Sequence, residues 1–245
     1  MDTSLSGRAR PRRAKVDSAV GTAFSRRLRA WYRRHGRDLP WRRTRDPYEV
    51  LVSELMLQQT QVSRVVTRYG EFLARFPTLD HVARAKPAHV REAWEGLGYY
   101  ARARNLHRLA REVTDGTRHT DQRLPADPSA LRELPGIGAY TAGAVASFAY
   151  ERRAALVDTN VARVLQRAFA PTSNVKTPKG RRIVWEIAES ILPRTGRTTW
   201  THNQALMELG ALVCTARVAH CGRCPVSSMC RSASRLSKQS GSRRP

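Results

Sequence analysis

The four cysteines of the chain lie within seventeen residues near its C-terminal end: Cys214, Cys221, Cys224 and Cys230. Four thiolates held this close together suit a tetrahedral zinc ion or a [4Fe-4S] cluster. Disulfides or free thiols are the alternatives, but the sequence shows no secretory segment that leads to an oxidising compartment. The C-x6-C-x2-C-x5-C spacing matches neither the usual zinc-finger pattern nor the common ferredoxin patterns, so it does not choose between zinc and iron.

Positive charge is in excess along the whole chain. Lys and Arg number 44 against 20 Asp and Glu, a formal net charge of +24. Residues 16–230 alone hold 34 basic and 19 acidic groups, so the two ends do not account for the excess. Such a protein repels itself unless it binds a polyanion, and nucleic acid fits best. A membrane surface is the rival, although no apolar stretch approaches a spanning helix, and a basic surface that serves only solubility is the third interpretation.

The apolar pattern between the two basic ends is helical. Val20, Phe24, Leu28 and Trp31 recur at helical spacing. Helix starts with a cap and a first-turn proline are predicted at Asp46-Pro47, Asp127-Pro128 and Thr177-Pro178, and helix ends at Gly36, Gly70, Gly116 and Gly180. Strand signals are scarce. We predict an all-α fold with a cleft between two helical lobes, and disordered basic tails at residues 1–17 and 231–245.

A helix-hairpin-helix is predicted at residues 134–142, where the sequence is Leu-Pro-Gly-Ile-Gly-Ala-Tyr-Thr-Ala. Gly136 and Gly138 would make a tight turn between two helices. The backbone amides there, with the positive end of the second helix's dipole, receive a phosphate without reading base sequence. An ordinary helix-connecting turn is the alternative, and the basic chain favours DNA binding.

Glu54 lies in the segment Ser-Glu-Leu-Met-Leu-Gln-Gln-Thr. Its helix is apolar around most of the circumference and should be buried. Burial raises the pKa of a carboxyl group, which leaves part of it protonated near neutral pH, as a general acid requires. An ion pair with a buried arginine is the alternative.

Asp158 is the candidate second carboxylate. It precedes a helical pattern, where it can serve as an N-cap, and a helix start also stabilises an ionised carboxylate. One neutral acid and one anion beside a sugar are what cleavage of a glycosidic bond through a cationic transition state requires. Glu54 and Asp158 together therefore predict N-glycoside cleavage.

Longer motifs make the chain similar to a known family. From about residue 24 to 230 it resembles the helix-hairpin-helix DNA glycosylases, and within them the adenine DNA glycosylases of the MutY type. The motifs are L-P-W-R at 39–42, D-P-Y at 46–48, S-E through Q-V at 53–62, G-L-G-Y-Y-A-R-A-R-N-L at 96–106, the hairpin, D-x-N-V-x-R-V at 158–164, N-Q-A-L-M-E-L-G at 203–210 and the cysteines. The resemblance implies a glycosylase region at 18–230, with a six-helix-type lobe at about 45–155 and a cluster lobe from about 18–44 plus 156–230.

The resemblance also implies a [4Fe-4S] cluster on the four cysteines and roles for single residues. Glu54 would protonate N7 of a flipped adenine, and Asp158 would stabilise the oxocarbenium ion. Contacts that intercalate or face the opposite guanine are implied at Gln59, Thr60, Leu97 and Tyr99, whereas Tyr100 is expected in the core. Trp41, Arg42 and Glu208 would line the adenine pocket, and Tyr140 and Asn160 would lie beside the sugar.

Tyr140 bears on the type of reaction. Bifunctional relatives carry a lysine at this point of the hairpin, which forms a Schiff base with the sugar. Tyrosine cannot, so we expect a monofunctional enzyme that leaves an abasic site. The resemblance at Gln58-Gln59-Thr60 and Gly98-Tyr99-Tyr100 favours adenine opposite 8-oxoguanine or guanine as the base removed. A thymine glycosylase for T·G mismatches and a glycosylase for another modified base stay alternatives. Outside the enzymes, an iron-sulfur DNA-binding module stays possible.

Full-length adenine glycosylases usually carry a Nudix-like domain after the cluster, and fifteen residues follow Cys230 in this sequence. We therefore expect weakened discrimination between 8-oxoguanine and guanine opposite the adenine. The remaining expectations are a monomer that binds mismatched or damaged double-stranded DNA, does not bind membranes, and works in the cytoplasm at the nucleoid.

Overall fold

The structure is a computed structural model and describes residues 16–115 and 123–241. Within these ranges the α-helices are α1 (Ser18–His35), α2 (Pro47–Leu57), α3 (Val62–Arg75), α4 (Leu79–Arg84), α5 (Pro87–Ala93), α6 (Ala101–Thr114), α7 (Pro128–Arg132), α8 (Ala139–Phe148), α9 (Thr159–Phe169), α10 (Pro178–Ser190), α11 (Gly196–Leu212) and α12 (Ala233–Gly241). Short 3₁₀ turns lie at Pro40–Arg42, Cys221–Arg223 and Ser227–Met229. The predicted all-α fold is confirmed.

The three predicted helix starts are confirmed. Asp46, Asp127 and Thr177 cap α2, α7 and α10, and each side chain accepts a hydrogen bond from a backbone amide of the first turn. A proline follows each cap, where its missing N–H leaves no helical hydrogen bond unmade. The Asp46 cap and the proline that follows it therefore fix the start of α2, the helix that carries Glu54.

The predicted helix ends are only partly correct. Gly36 ends α1, but Gly70 lies inside α3 and Gly180 lies in the first turn of α10. A glycine costs a helix only about 1 kcal/mol relative to alanine, so the packed apolar face of α3 overrides it. Gly180 is needed for close packing, because a Cβ there would lie 1.9 Å from the carbonyl oxygen of Asn174. Gly116 lies outside the described residues.

The predicted tail at 231–245 is corrected for its first part. Residues 233–241 form α12, which packs against the 3₁₀ turn at Cys221–Arg223. Contacts of this kind stabilise a short helix whose own sequence pattern is weak. At the other end, the side chain of Asp17 accepts hydrogen bonds from the first turn of α1. Residues 1–15 and 242–245 lie outside the described residues.

The helices pack in two groups that share one continuous apolar core. In the first group, α2 contacts α3, α6 and α8, while α6 also contacts α4 and α5. In the second, α11 contacts α1 and α9, and α9 contacts α10. Helix α11 also contacts α8 and so joins the groups. No helix in the described part of the chain is both long and apolar enough to span a bilayer.

One close approach fixes how α8 lies against the segment that leads into α9. A Cβ on Gly143 would lie 2.1 Å from the carbonyl oxygen of Ala155, whereas a Cβ on Gly70 would meet no atom within 4 Å. Both glycines are inside helices. Only the first is required by packing.

We therefore expect opposite effects from two alanine substitutions. Gly143→Ala should lower the free energy of unfolding by about 1–3 kcal/mol, because the added methyl group overpacks the contact. Gly70→Ala should raise it by about 0.5–1 kcal/mol, because alanine loses less conformational freedom in a helix. Denaturant titrations measure both, and equal effects would contradict the close approach.

Candidate active site

A cleft with a volume of about 1310 Å³ opens between α2, the α7–α8 hairpin, the start of α9 and one face of α11. Glu54, Asp158, Tyr140 and Asn160 all line this cleft. The sequence places these residues on three separate segments, and the fold brings them to one cavity. The two predicted carboxyl groups therefore face the same space.

Glu54 lies deep in the cleft on the C-terminal half of α2. The residue is only 2% exposed, which confirms its predicted burial, and its Oε2 atom has no hydrogen-bond partner. Burial raises the pKa of Glu54 to about 7, against a hydrogen bond from the Tyr140 hydroxyl, and the negative charge of Asp158 also raises it. A carboxyl group with this pKa is about half protonated at neutral pH, as a general acid requires.

Asp158 is the N-cap of α9, as predicted. Its Oδ1 atom accepts a hydrogen bond from the Val161 amide at 2.6 Å, and its Oδ2 atom accepts one from Asn160 Nδ2 at 3.0 Å. Burial raises the pKa of Asp158 above its usual value, whereas these two donors and the charge of Arg163 lower it. The carboxyl group is thus held at both oxygens at the positive end of the α9 dipole.

Tyr140 and Asn160 orient the two carboxyl groups. The Tyr140 hydroxyl hydrogen bonds Glu54 and lies 3.9 Å from Met207 Sδ. Burial raises the pKa of Tyr140 well above its usual value, so the hydroxyl keeps its proton. Asn160 donates to Asp158 and accepts from Arg163 Nη2 at 2.8 Å, which fixes which way its amide points.

The alternative of an ion pair between Glu54 and a buried arginine is not observed among the described residues, and the nearby Arg42 is bound to Glu208. Arg42 Nη2 donates to Glu208 Oε2 at 2.7 Å, and Arg37 donates from Nε at 2.8 Å and from Nη2 at 2.9 Å. Burial alone would raise the pKa of Glu208, but these hydrogen bonds outweigh it and lower the pKa to about 2. Arg42, Glu208 and Trp41 all line the cleft. Among the described residues, no ion pair includes Glu54.

Two neighbouring loops carry the residues for which strand contacts are expected. Gln59 and Tyr99 have φ angles of 56° and 46°, in the left-handed region that residues other than glycine seldom adopt. Both side chains are exposed, Tyr99 by 59%, whereas Tyr100 packs against the core, as expected. Thr60 is half-buried and donates to the Leu97 carbonyl at 3.2 Å. The side chain of Leu97 is 3% exposed and belongs to the apolar core, and its expected contact with the opposite strand stays a prediction.

Arg102 is a residue that the sequence analysis missed. It is 7% exposed and lies on the buried face of α6 between the Gln58–Thr60 and Leu97–Tyr99 loops. A signal was present, because Arg102 shares its helical face with Leu106 and Leu109 at i+4 and i+7, so its side chain had to be buried.

The hairpin has the predicted form. Gly136 has a φ of 80°, and a Cβ there would lie 2.7 Å from the Cβ of Asn105, so only glycine fits. Gly138 is the N-cap of α8, makes no side-chain cap, and has no atom within 4 Å of where its Cβ would be. The first amides of α8 are therefore free of a side-chain cap at the cleft and suit an anion.

The four cysteines lie half-buried on the loop between α11 and α12. The pKa of Cys224 is raised to about 11, chiefly by burial and also by the charges of the other three thiolates. Arg167 Nη1 lies 3.3 Å from Cys214 Sγ. In the described ranges, no group of three or more His, Cys, Asp or Glu side chains is arranged to hold a single metal ion. The donor chemistry, four thiols beside an arginine, suits an anionic iron-sulfur cluster.

Comparison with known proteins places these features in context. The chain matches the HhH-GPD superfamily of base excision DNA repair proteins over residues 52–190, more than half of its length. It is 41% identical over 234 residues to the adenine DNA glycosylase of Homo sapiens, covering 91% of this chain and 42% of the human protein. It is 46% identical over 201 residues to the adenine DNA glycosylase of Mycolicibacterium smegmatis, covering 82% of this chain and 66% of that protein. The chain thus spans only part of the length of these relatives.

Solved structures share the fold. A thermostable thymine-DNA glycosylase is 29% identical with a TM-score of 0.79, over 89% of this chain and 98% of that one. An endonuclease III trapped in a covalent intermediate with DNA is 22% identical with a TM-score of 0.72, over 90% of this chain and 98% of that one.

The raised pKa of Glu54 predicts a pH-dependent effect of Glu54→Gln on stability. In the folded state the proton is lost near pH 7, and in the unfolded state near pH 4.5. The wild type therefore loses stability as the pH rises from about 4.5 to about 7, and it carries the full penalty above pH 7. Glutamine removes this penalty. The gain in free energy of unfolding should be larger at pH 8.5 than at pH 5.5 by about 2 kcal/mol.

Denaturant titrations at the two pH values measure this difference. Glu49→Gln, on the same helix and half-buried, is the matched control and should show no such difference. Equal gains for Glu54→Gln at both pH values would show that Glu54 titrates as an ordinary carboxyl group.

Proposed function

Because the chain belongs to the HhH-GPD superfamily of base excision DNA repair proteins, we propose that it is a DNA glycosylase that flips and hydrolytically removes adenine mispaired with 8-oxoguanine or guanine. One observation carries the proposal: Glu54 and Asp158 face the same cleft, and Glu54 is buried without an ion-pair partner among the described residues. This pairing supplies one neutral acid and one anion. The identity of the curated relatives supports adenine as the base.

The chemistry follows from these two groups. Glu54 gives its proton to N7 of the flipped adenine, and the bond between C1′ and N9 breaks with its electrons going to the base. The carboxylate of Asp158, held by Val161 and Asn160, stabilises the positive charge on the sugar. Water then adds its oxygen to C1′ and returns a proton to Glu54, which leaves free adenine and an abasic site.

Tyr140 limits the reaction to base removal. Strand cleavage through a Schiff base needs an amine at the sugar, and the hairpin presents a protonated hydroxyl. The enzyme is therefore monofunctional. The Tyr140 hydroxyl serves to orient the carboxyl group of Glu54.

DNA is held by contacts that do not read sequence. The uncapped amides of α8 at Gly138 receive a phosphate, and Lys176 and Arg181 on the cleft wall add positive charge. Extruding a base costs a few kcal/mol, so contacts must fill the vacated stack. We assign this role to Gln59 and Tyr99, and the exposure of both side chains supports it.

Cys214, Cys221, Cys224 and Cys230 would hold the [4Fe-4S] cluster. Two observations support the proposal. The four cysteines lie on one loop, and the charges of the other three thiolates are close enough to raise the pKa of Cys224. The bound cluster would order the loop between α11 and α12. Arg217 and Arg223 are exposed on that loop and suit contact with phosphate.

Metal analysis tests the cluster. Anaerobically purified protein should contain about four irons and four sulfides per chain, and Cys224→Ser should lower both. A content of one zinc and no iron would replace the cluster with a zinc site.

Excision assays test the reaction. Three duplexes are compared, with A opposite 8-oxoguanine, A opposite guanine and T opposite guanine. The two adenine duplexes should give strand breaks, and only after alkali, whereas the thymine duplex should give none. Breaks without alkali would refute the monofunctional assignment. Glu54→Gln should slow excision by about 10²–10⁴-fold, and Glu49→Gln should leave it unchanged.

Because Glu54 must be protonated, the single-turnover rate should fall by about tenfold per pH unit above its pKa of about 7.

Thymine excision is the second candidate. The similarity to the thermostable thymine-DNA glycosylase, at 29% identity over 98% of that chain, favours it. Release of thymine from T·G, with no release of adenine, would establish it in place of adenine removal.

A further inference from the structure

Arg102 binds the end of α2 and the loop that follows it. Its Nη1 atom donates to the carbonyl oxygens of Leu55 at 2.7 Å, Met56 at 2.9 Å and Gln58 at 2.6 Å. The last carbonyls of a helix have no partner within the helix. Arg102 therefore completes the end of the helix that carries Glu54.

The other nitrogens of Arg102 bind the Leu97–Tyr99 loop. The Nη2 atom donates to the carbonyl oxygens of Leu97 and Gly98, both at 2.9 Å, and Nε lies 3.4 Å from the Tyr99 carbonyl. Nη2 also lies 3.2 Å from Thr60 Oγ1, and that hydroxyl donates back to Leu97. One guanidinium group thus joins two loops that are far apart in sequence.

This arginine is held by dipoles and not by a countercharge. No ion pair in the described part of the chain includes Arg102, although it is 7% exposed. Its guanidinium lies 5.6 Å from the Trp94 ring centre and 5.5 Å from the Tyr99 ring centre. Because backbone carbonyls take up its donors, a shift of either loop would leave a buried charge unsatisfied.

The loops that Arg102 joins are also those with unusual backbone geometry. Gln59 follows the Gln58 carbonyl that Arg102 binds, and Tyr99 follows the Gly98 carbonyl. Both have a positive φ, which persists only where surrounding contacts enforce it. The contacts of Arg102 lie directly beside both positions.

We propose that Arg102 is a positioning residue that locks the Gln58–Thr60 and Leu97–Tyr99 loops together, so that Gln59 and Tyr99 enter the duplex as one unit when the base is extruded. The inference rests on the proposed base-flipping function. It assigns to Arg102 no contact with DNA and no part in bond cleavage. Its loss should impair extrusion more than binding.

Extrusion can be measured apart from chemistry. The parent protein carries Glu54→Gln, which blocks excision, and the duplex carries 2-aminopurine at the target position opposite guanine. The fluorescence of 2-aminopurine rises when the base leaves the stack, and fluorescence anisotropy of an end-labelled duplex reports binding. Arg102→Lys should reduce the rise by about tenfold, because an ammonium group cannot reach both loops, and should change affinity by less than about threefold.

Two further variants frame the result. Thr60→Val removes the hydroxyl that bridges Arg102 and Leu97 with little change of volume, and it should reduce the rise in the same direction even if Arg102→Lys does not fold. Arg111→Lys is the matched control, since Arg111 is exposed near the other end of α6, and it should behave like the parent.

The possible outcomes distinguish failure of the positioning role of Arg102 from failure of the proposed base-flipping function. A full rise in both the Arg102→Lys and the Thr60→Val protein would overturn the positioning role and leave the proposed function intact. Loss of binding in parallel with the loss of fluorescence would overturn it too, because Arg102 would then hold only the general fold. No rise in the parent with any mismatched duplex would refute the base-flipping function, and this inference with it.

Discussion

A buried carboxyl group without an ion-pair partner among the described residues is the constraint on which the rest of the site depends. An ionised carboxylate is costly to bury, so Glu54 retains its proton to a pH far above the usual range. An ion pair with an arginine would reverse this. In a chain with 44 Lys and Arg residues, the basic groups near Glu54 must therefore be engaged elsewhere. Arg42 and Arg37 are bound to Glu208, and Arg102 is bound to backbone carbonyls.

Glycines at close helix contacts fix the positions of the reacting groups. Gly143 lets α8, which carries Tyr140, touch the segment that leads into Asp158. Gly210 does the same for α11, because a Cβ there would lie 2.7 Å from the Cβ of Asn160. Helices α8, α9 and α11 therefore meet at contacts that leave no room for a larger side chain. Side chains from three helices can line one cleft only because those helices approach so closely.

The parts that sequence reasoning predicted depend on local chemistry. The cap and proline at Asp46-Pro47 fix the start of α2, and its apolar circumference fixes the burial of Glu54. The partner of Arg42 was not predictable, because Glu208 lies 166 residues away in sequence and comes next to Arg42 only after folding. The burial of the Leu97 side chain in the core was not predictable either, nor was α12, which is stabilised by contacts with neighbouring residues. The roles of the individual site residues stay predictions.

The contacts that fix the Gln58–Thr60 and Leu97–Tyr99 loops have a consequence for redesign. Arg102 donates almost all its hydrogen bonds to main-chain oxygens of the two loops. The hydroxyl of Thr60 is the one side-chain oxygen among its acceptors in the described structure. These contacts therefore do not depend on the side chain of Gln59, whereas the Tyr99 ring lies 5.5 Å from the guanidinium and takes part in them. An engineer seeking altered lesion preference can vary position 59 while the main-chain contacts of Arg102 keep the loop in place, in the way that antibody frameworks present interchangeable loops.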